Sequence, residues 1–133
     1  MEIITTNYEL QTTNFLVWMA LVVGAYLIGS FPAGYLVGHC CGIDIRQHGS
    51  GNIGATNVVR VLGKKWGALV FIIDFLKGWL PVILATRWSE AIHMDPRSAP
   101  GAVAALMALL GHNFPCWLGF RGGLQNGTDE LGE

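Results

Sequence analysis

Three long apolar runs, separated by polar segments, constrain the fold of this chain more than any other feature. The runs are Phe15–Val37, Ala68–Thr86 and Gly101–Leu118. At a helical rise of about 1.5 Å per residue, each run has about the length that the roughly 30 Å hydrocarbon core of a bilayer requires. Backbone groups in that core must be hydrogen bonded internally, so we expect three transmembrane helices in an all-α membrane protein.

The composition agrees with this expectation. Apolar residues make up 52% of the chain and charged residues 13%, whereas soluble domains contain about 25% charged residues. The net charge of −1 lacks the basic excess of a nucleic-acid-binding protein. We therefore expect the lipid bilayer, and no nucleic acid, as a partner of this chain.

The distribution of Lys and Arg predicts the orientation in the membrane. No basic residue precedes the first run, and only Arg87 and Arg97 lie between the second and third runs. The basic residues between the first and second runs are Arg46, Arg60, Lys64 and Lys65. Because basic loops stay in the cytoplasm, we expect the N-terminus outside and the polar, glycine-rich loops on the cytoplasmic face.

The polar segment from His48 to Arg60 is the main candidate for a functional site. Its glycines, Gly49, Gly51 and Gly54, permit positive φ and a close approach of the backbone to a ligand. Successive N–H groups in such turns form a nest for phosphate or carboxylate, and Arg60 can hold the same anion through two parallel hydrogen bonds. The alternative interpretation is a plain flexible loop.

The segment formally matches G-x-G-x-x-G, but no strand precedes it, so a dinucleotide-binding fold is not favoured. If Ala55–Lys65 is helical, Thr56 and Arg60 lie on one face, and the positive end of the helix dipole lies near Gly54. Further hydroxyl and amide groups that can bind an anion come from Ser50, Asn52 and Asn57.

Two opposite charges, Asp74 and Lys77, interrupt the second apolar run three residues apart. One charge at the centre of a bilayer costs about 2.5–3.5 kcal/mol on insertion scales, and hydrogen bonding within a pair offsets part of that cost. Two interpretations stay open. The pair is structural, or Lys77 faces a polar site and Asp74 orients it.

The end of the third apolar run carries His112 and Asn113. His112 is either a hydrogen bonder at a helix end or a general base whose partner the fold must supply. A second glycine-basic loop follows on the same predicted face, so we expect two phosphate-bearing groups to be held together. Its candidate binding residues are Arg121, Gly122 and Gly123.

The cysteines Cys40, Cys41 and Cys116 show no metal-ligand spacing. We expect them to be free, buried thiols at helix ends. Neither a metal nor another cofactor is expected.

Four strings carry a resemblance to a known family: Gly29–Tyr35, Gly49–Asn57 with Arg60, Asp74 with Lys77–Pro81, and Gly111–Pro115 with Gly119–Gly123. From about residue 20 to residue 123, the chain resembles the bacterial acyl-phosphate:glycerol-3-phosphate acyltransferases in order and spacing. The resemblance implies a polytopic inner-membrane enzyme that transfers an acyl group from acyl phosphate, not acyl-CoA, to glycerol 3-phosphate. The product is lysophosphatidic acid, and the reaction is the first step of phospholipid synthesis. The family's essential serine and arginine correspond to Ser50 and Arg60.

The chain departs from the family pattern after Gly123. The pattern continues Lys-Gly-Val-Ala-Thr and carries a third motif, whereas this chain continues with Leu124 and a short acidic tail. A shifted reading frame or a truncated gene copy would produce this difference. We expect a partial acyltransferase domain, 1–123, and a divergent tail, 124–133. The alternatives to acyl transfer are a small transporter of a phosphorylated solute and a non-catalytic membrane fragment.

Overall fold

The computed structural model describes residues 2–92 and 99–120, and side chains from residue 15 onward within those ranges. All regular elements there are helical, which confirms the all-α expectation. The α-helices are α1 (Glu2–Gly29), α2 (Ala33–Cys40), α3 (Ala55–Leu62), α4 (Lys64–Ala91) and α5 (Pro100–Asn113). Short 3-10 turns cover Ile45–Gln47 and Cys116–Leu118.

Helices α1, α4 and α5 form the bundle, and α4 runs antiparallel to α1. Ala85, late in α4, packs against Leu21 of α1. Lys77, about two turns earlier in α4, reaches the backbone of Phe31 beyond the end of α1.

Helix α4 also runs antiparallel to α5. Asp74 faces His112 near the end of α5, and Thr86 lies beside Gly101 at its start. The ends of α1 and α5 and the first half of α4 therefore share one end of the bundle. Helices α2 and α3 pack against α4 at that end, together with the polar loop between them.

Three segments are long and apolar enough to cross a membrane, as the sequence predicts. They are Phe15–Cys40, Lys64–Ala91 and Pro100–Leu118. Large apolar side chains point outward from them, including Phe71 (63% exposed), Phe75 (60%) and Leu106 (57%). The buried positions are filled instead by small residues such as Ala25 and Ala104. This distribution suits helices that face lipid outside and each other inside.

The sequence locates the three spans correctly, but the observed helices begin and end at other residues than predicted. Helix α1 begins at Glu2, inside the segment that looked merely polar, and α4 begins at Lys64 and ends at Ala91 rather than covering Ala68–Thr86. Hydropathy detects residues that suit lipid, whereas backbone hydrogen bonding carries a helix on through polar residues. Helix α5 stops at Asn113, short of the predicted Leu118, because Pro115 cannot continue the helix.

The first span is not one uninterrupted helix, contrary to the prediction for Phe15–Val37. The helix breaks between Gly29 and Ala33, where Pro32 lacks the N–H that would continue it. The carbonyl of Phe31 accepts hydrogen bonds from the N–H of Ala33, at 3.1 Å, and from the ammonium of Lys77, at 2.7 Å. A neighbouring helix thus satisfies the broken backbone, as membrane burial demands.

Helices α1 and α5 cross with their backbones in close contact. A methyl group built on Gly29 would overlap the backbone of Ala108, and one on Gly111 would overlap the carbonyl of Tyr26 and the amide of Ser30. The hydroxyl of Tyr26 also donates a 2.7 Å hydrogen bond to the carbonyl of Phe114. Glycine at both positions is therefore a packing requirement of this crossing.

We expect Gly111→Ala to destabilise the bundle by about 1–3 kcal/mol, the usual range for an overpacked contact. Gly24→Ala is the matched control, because nothing lies within 4 Å of a methyl group at Gly24. Thermal unfolding in detergent, followed by tryptophan fluorescence, measures both variants. Equal melting temperatures for the two variants would contradict the close crossing.

The three cysteines are free, as expected, and lie at the end of α2 and the start of the last 3-10 turn. Their predicted burial was wrong. Cys40 is exposed, and Cys41 and Cys116 are half-buried, because these ends lie at the surface of the bundle rather than inside it.

Candidate functional site

An apolar cluster holds the polar loop between α2 and α3 against the rest of the fold. Ile45 of the loop and Val58 of α3 are completely buried together with Val70 of α4. The loop also approaches α2 directly, because a methyl group at Gly34 would overlap the carbonyl oxygen of Ile53. The segment is therefore a packed structure, and the flexible-loop alternative does not describe it.

Asn57, in the first turn of α3, holds the polar loop together. Its side-chain amide nitrogen donates to the carbonyls of His48 (2.9 Å), Asn52 (2.8 Å) and Ile45 (3.3 Å). Its Oδ1 accepts the backbone N–H of Ser50 at 2.9 Å. Asn57 is 2% exposed, so it is buried, and both its amide nitrogen and its amide oxygen are hydrogen bonded. The sequence predicts Asn57 as a phosphate ligand, whereas its observed contacts are all within the loop.

Two of the three loop glycines adopt the backbone conformation that the sequence suggests. Gly49 has φ +64° and Gly51 has φ +70°, values that favour glycine. Gly54 differs, because it is extended (φ −76°, ψ 164°) and forms the N-cap of α3. Its N–H donates to Oδ1 of Asn52 at 2.7 Å, which fixes the entry into the helix.

The groups that remain available to a ligand lie above this packed base. Ser50, Thr56 and Arg60 are exposed, and Thr56 and Arg60 share the outer face of α3, as predicted. The predicted helical segment Ala55–Lys65 is interrupted, because Gly63 (φ +92°) separates α3 from α4. No side chain of the described residues caps the start of α3, which carries the positive end of the helix dipole.

A second cluster lies in α4 and α5. The ammonium of Lys77 is 2.7 Å from Oδ1 of Asp74 and 2.7 Å from the carbonyl of Phe31. Nδ1 of His112 lies 4.0 Å from the same Asp74 oxygen. The side chain of Lys77 is 9% exposed and that of Asp74 19%, so the predicted ion pair exists and is largely buried.

Lys77 borders two grooves of similar size. An apolar groove of about 450 Å³ runs along α1 and α4 past Phe31 and Trp117. The other groove, of about 480 Å³, contains Asp74 and His112. The same helix break links both grooves to the polar loop, since Phe31 binds Lys77 and Gly34, one turn later, contacts the loop.

A clamp beside the loop was not predicted from the sequence. Asp44 caps the turn at Ile45–Gln47 and pairs with the guanidinium of Arg46, with its Oδ2 2.7 Å from Nη2. Arg46 lies 4.7 Å above the centre of the Tyr35 ring of α2. Nδ1 of His48 lies 2.9 Å from the carbonyl of Asp44 and must carry the proton there, because a carbonyl only accepts. A short D-x-R spacing is a weak signal that could have suggested this pair.

The hydrogen bonds from Arg46 lower the pKa of Asp44 from its usual 3.8 to about 2. Because the pKa of this carboxyl is lower in the folded protein, its pairing stabilises the fold at pH values above about 3.8, the pKa in the unfolded chain. That stability is lost as the pH falls from about 3.8 through about 2. The clamp is therefore fully charged at neutral pH and unaffected by mild acid.

Of the remaining predicted site residues, one is described by the structure and three are not. Asn113 is the last residue of α5 and is half-buried beside His112. Arg121, Gly122 and Gly123 lie outside the described residues, as does the tail 124–133.

Comparison with known proteins gives consistent matches. Residues 19–128 match the family model described as glycerol-3-phosphate acyltransferase. The glycerol-3-phosphate acyltransferase of Synechococcus elongatus is 52% identical over 108 residues, covering 79% of this chain and 51% of that protein. The protein of the same name from Aquifex aeolicus is 47% identical over 103 residues, covering 77% and 51% respectively.

Solved structures agree with the sequence relatives. The crystal structure of PlsY (YgiH), an integral membrane glycerol 3-phosphate acyltransferase, in its glycerol 3-phosphate form, superposes with a TM-score of 0.69 at 42% identity, covering 83% of this chain and 54% of that one. Its lysophosphatidic acid form gives a TM-score of 0.66 at 41% identity. The chain spans about half the length of the curated relatives it matches. It belongs to the glycerol-3-phosphate acyltransferase family.

Proposed function

We propose that this chain transfers an acyl group from an acyl phosphate to glycerol 3-phosphate, at the cytoplasmic face of the bacterial inner membrane. The products are lysophosphatidic acid and inorganic phosphate. The observation that carries the proposal is the polar loop held by Asn57, which leaves Ser50 exposed before the start of α3 and Arg60 exposed in the last turn of the same helix, in a chain of this family.

The reaction needs little covalent help from the protein, because the phosphate of the donor is already a good leaving group. The difficulty is to hold two anions together and to align a glycerol hydroxyl with the acyl carbon. Cations and N–H donors offset the repulsion between the anions. Arg60 supplies a free guanidinium, because the ion pairs of the described residues involve other side chains. Ser50 then binds or orients a phosphate or the attacking hydroxyl.

The cluster at Lys77 suits the rest of such substrates. An ammonium has three N–H donors, and Asp74 and the Phe31 carbonyl engage two of them. The third is available to a phosphate. The apolar groove beside Lys77 fits an acyl chain attached to an anionic head, and His112 in the neighbouring groove is a candidate to accept the hydroxyl proton. Arg121, Gly122 and Gly123 stay predicted phosphate ligands.

The test is product formation by the wild-type chain in sealed vesicles. With radiolabelled glycerol 3-phosphate and palmitoyl phosphate, we expect lysophosphatidic acid and inorganic phosphate in equal amounts, and no product with palmitoyl-CoA. Glycerol 3-phosphate uptake without a lipid product would instead indicate the transporter. If the vesicles show no lipid product and no uptake, the proposed activity is refuted. The non-catalytic membrane fragment then remains as the interpretation.

A further inference from the structure

We propose that Asn57 is a positioning residue that fixes the Ser50 peptide relative to Arg60 and does not itself bind substrate. The inference rests on the proposed function, because it concerns the same loop. It replaces the phosphate-binding role that the sequence predicts for Asn57 with a different one.

The hydrogen-bonding capacity of Asn57 is already used. A side-chain amide has two N–H donors and one carbonyl acceptor. Three loop carbonyls, of Ile45, His48 and Asn52, surround the nitrogen, and the N–H of Ser50 binds the oxygen. A phosphate would need one of those N–H donors, so it would have to break the loop in order to bind Asn57. Leaving a buried carbonyl without a hydrogen bond is unfavourable, which opposes that exchange.

Burial closes the remaining access. The Asn57 side chain is 2% exposed, and the next residue, Val58, is completely buried. Oδ1 lies directly beneath Gly49, since a methyl group built there would overlap it. The backbone at Gly49 thus covers the side-chain oxygen of Asn57.

Because Asn57 lies in α3, its hydrogen bond to the Ser50 N–H also connects the loop to Arg60. Asn57 and Arg60 are three residues apart on α3, so both move with the same rigid helix. By holding the Ser50 N–H, Asn57 ties the loop to the helix that carries Arg60. The position of the Ser50 peptide relative to the backbone of Arg60 therefore depends on the Asn57 side chain. Misplacement of a reacting group by about 1 Å can cost 100-fold in rate.

Hydrogen exchange tests the positioning without using activity. In Asn57→Ala, we expect the Ser50 amide to exchange about 100-fold faster, because its acceptor is gone, while amides in the middle of α4 keep their protection. Val58→Ala is the matched control, since it removes a neighbouring buried side chain and leaves the Ser50 hydrogen bond intact. Unchanged protection of Ser50 in Asn57→Ala would overturn the proposal.

Kinetics test the consequence. We expect Asn57→Ala to lower kcat/KM about 100-fold per folded molecule. Val58→Ala weakens the apolar base of the loop but keeps the Ser50 hydrogen bond, so we expect it to lower the melting temperature and to reduce kcat/KM by less than about 10-fold. In a Ser50→Ala background, Asn57→Ala should have less than about a tenth of its effect, because it acts through Ser50. An equal loss in both backgrounds would contradict positioning and indicate direct substrate contact.

Gly49→Ala tests the same contact from the other side, because its methyl group would overlap the side-chain oxygen of Asn57. The double variant with Asn57→Ala relieves that overlap. Its loss in melting temperature should therefore be smaller than the sum of the losses in the two single variants. If wild type makes no lysophosphatidic acid, the proposed function fails, while the exchange result still decides the structural claim.

Discussion

We expect Arg60→Lys to lower kcat/KM for the proposed acyl transfer by about 100-fold or more. Lysine keeps the positive charge but loses the planar fork that grips a phosphate through two parallel hydrogen bonds. Removing one such donor from a developing anionic site costs about 100–1,000-fold in other acyl-transfer enzymes. Arg60 is exposed on α3, so the substitution should leave the fold intact. Initial rates of lysophosphatidic acid formation in vesicles measure the effect.

Arg87→Lys provides the control for Arg60→Lys. Arg87 is also exposed but lies in the last part of α4, at the end of the bundle away from the loop. We expect its rate to stay within about twofold of wild type, as is usual for surface substitutions. A similar rate for both variants would remove Arg60 from the site.

Asp74→Asn destabilises the folded protein by about 3–5 kcal/mol. The ammonium of Lys77 would stay buried with a neutral amide and one carbonyl as partners, and breaking a buried ion pair on one side costs about this much. The melting temperature in detergent, with the folded fraction from size-exclusion chromatography, measures the loss. A melting temperature equal to that of wild type would show that Asp74 does not support Lys77.

The double variant Asp74→Asn/Lys77→Met separates the two interpretations of the pair. Replacing both charges with neutral groups of similar size is often nearly neutral for stability, so we expect most of the lost stability to return. Acyl transfer should not return, because the proposed phosphate contact at Lys77 is gone. Recovery of activity together with stability would make the pair purely structural.

The sequence predicted what depends on local spacing. Asp74 and Lys77 are three residues apart on one helix, so their contact follows from helical geometry, and Thr56 and Arg60 share a face for the same reason. The three spans followed from apolar runs of bilayer length.

What depends on tertiary contact could not be predicted. The acceptor of Lys77 beyond Asp74 is the carbonyl of Phe31, which comes within reach only because α1 breaks at Pro32 and packs against α4. Asn57 has the same chemistry as a surface amide, and only the fold decides that it faces inward to three carbonyls. The sequence motif alone therefore suggests a ligand at this position as readily as a structural amide.

Binding of phosphate-bearing substrates to the chain in nanodiscs is the most direct test of the central claim, that the polar loop held by Asn57 is a phosphate site. Titration calorimetry would use glycerol 3-phosphate and a non-reactive acyl phosphonate, with wild type and Arg60→Lys. We expect saturable binding of at least one ligand by wild type and at least about 10-fold weaker binding by Arg60→Lys, which corresponds to a loss of about 1.4 kcal/mol. Absence of saturable binding, or equal affinity of both proteins for both ligands, would contradict that claim.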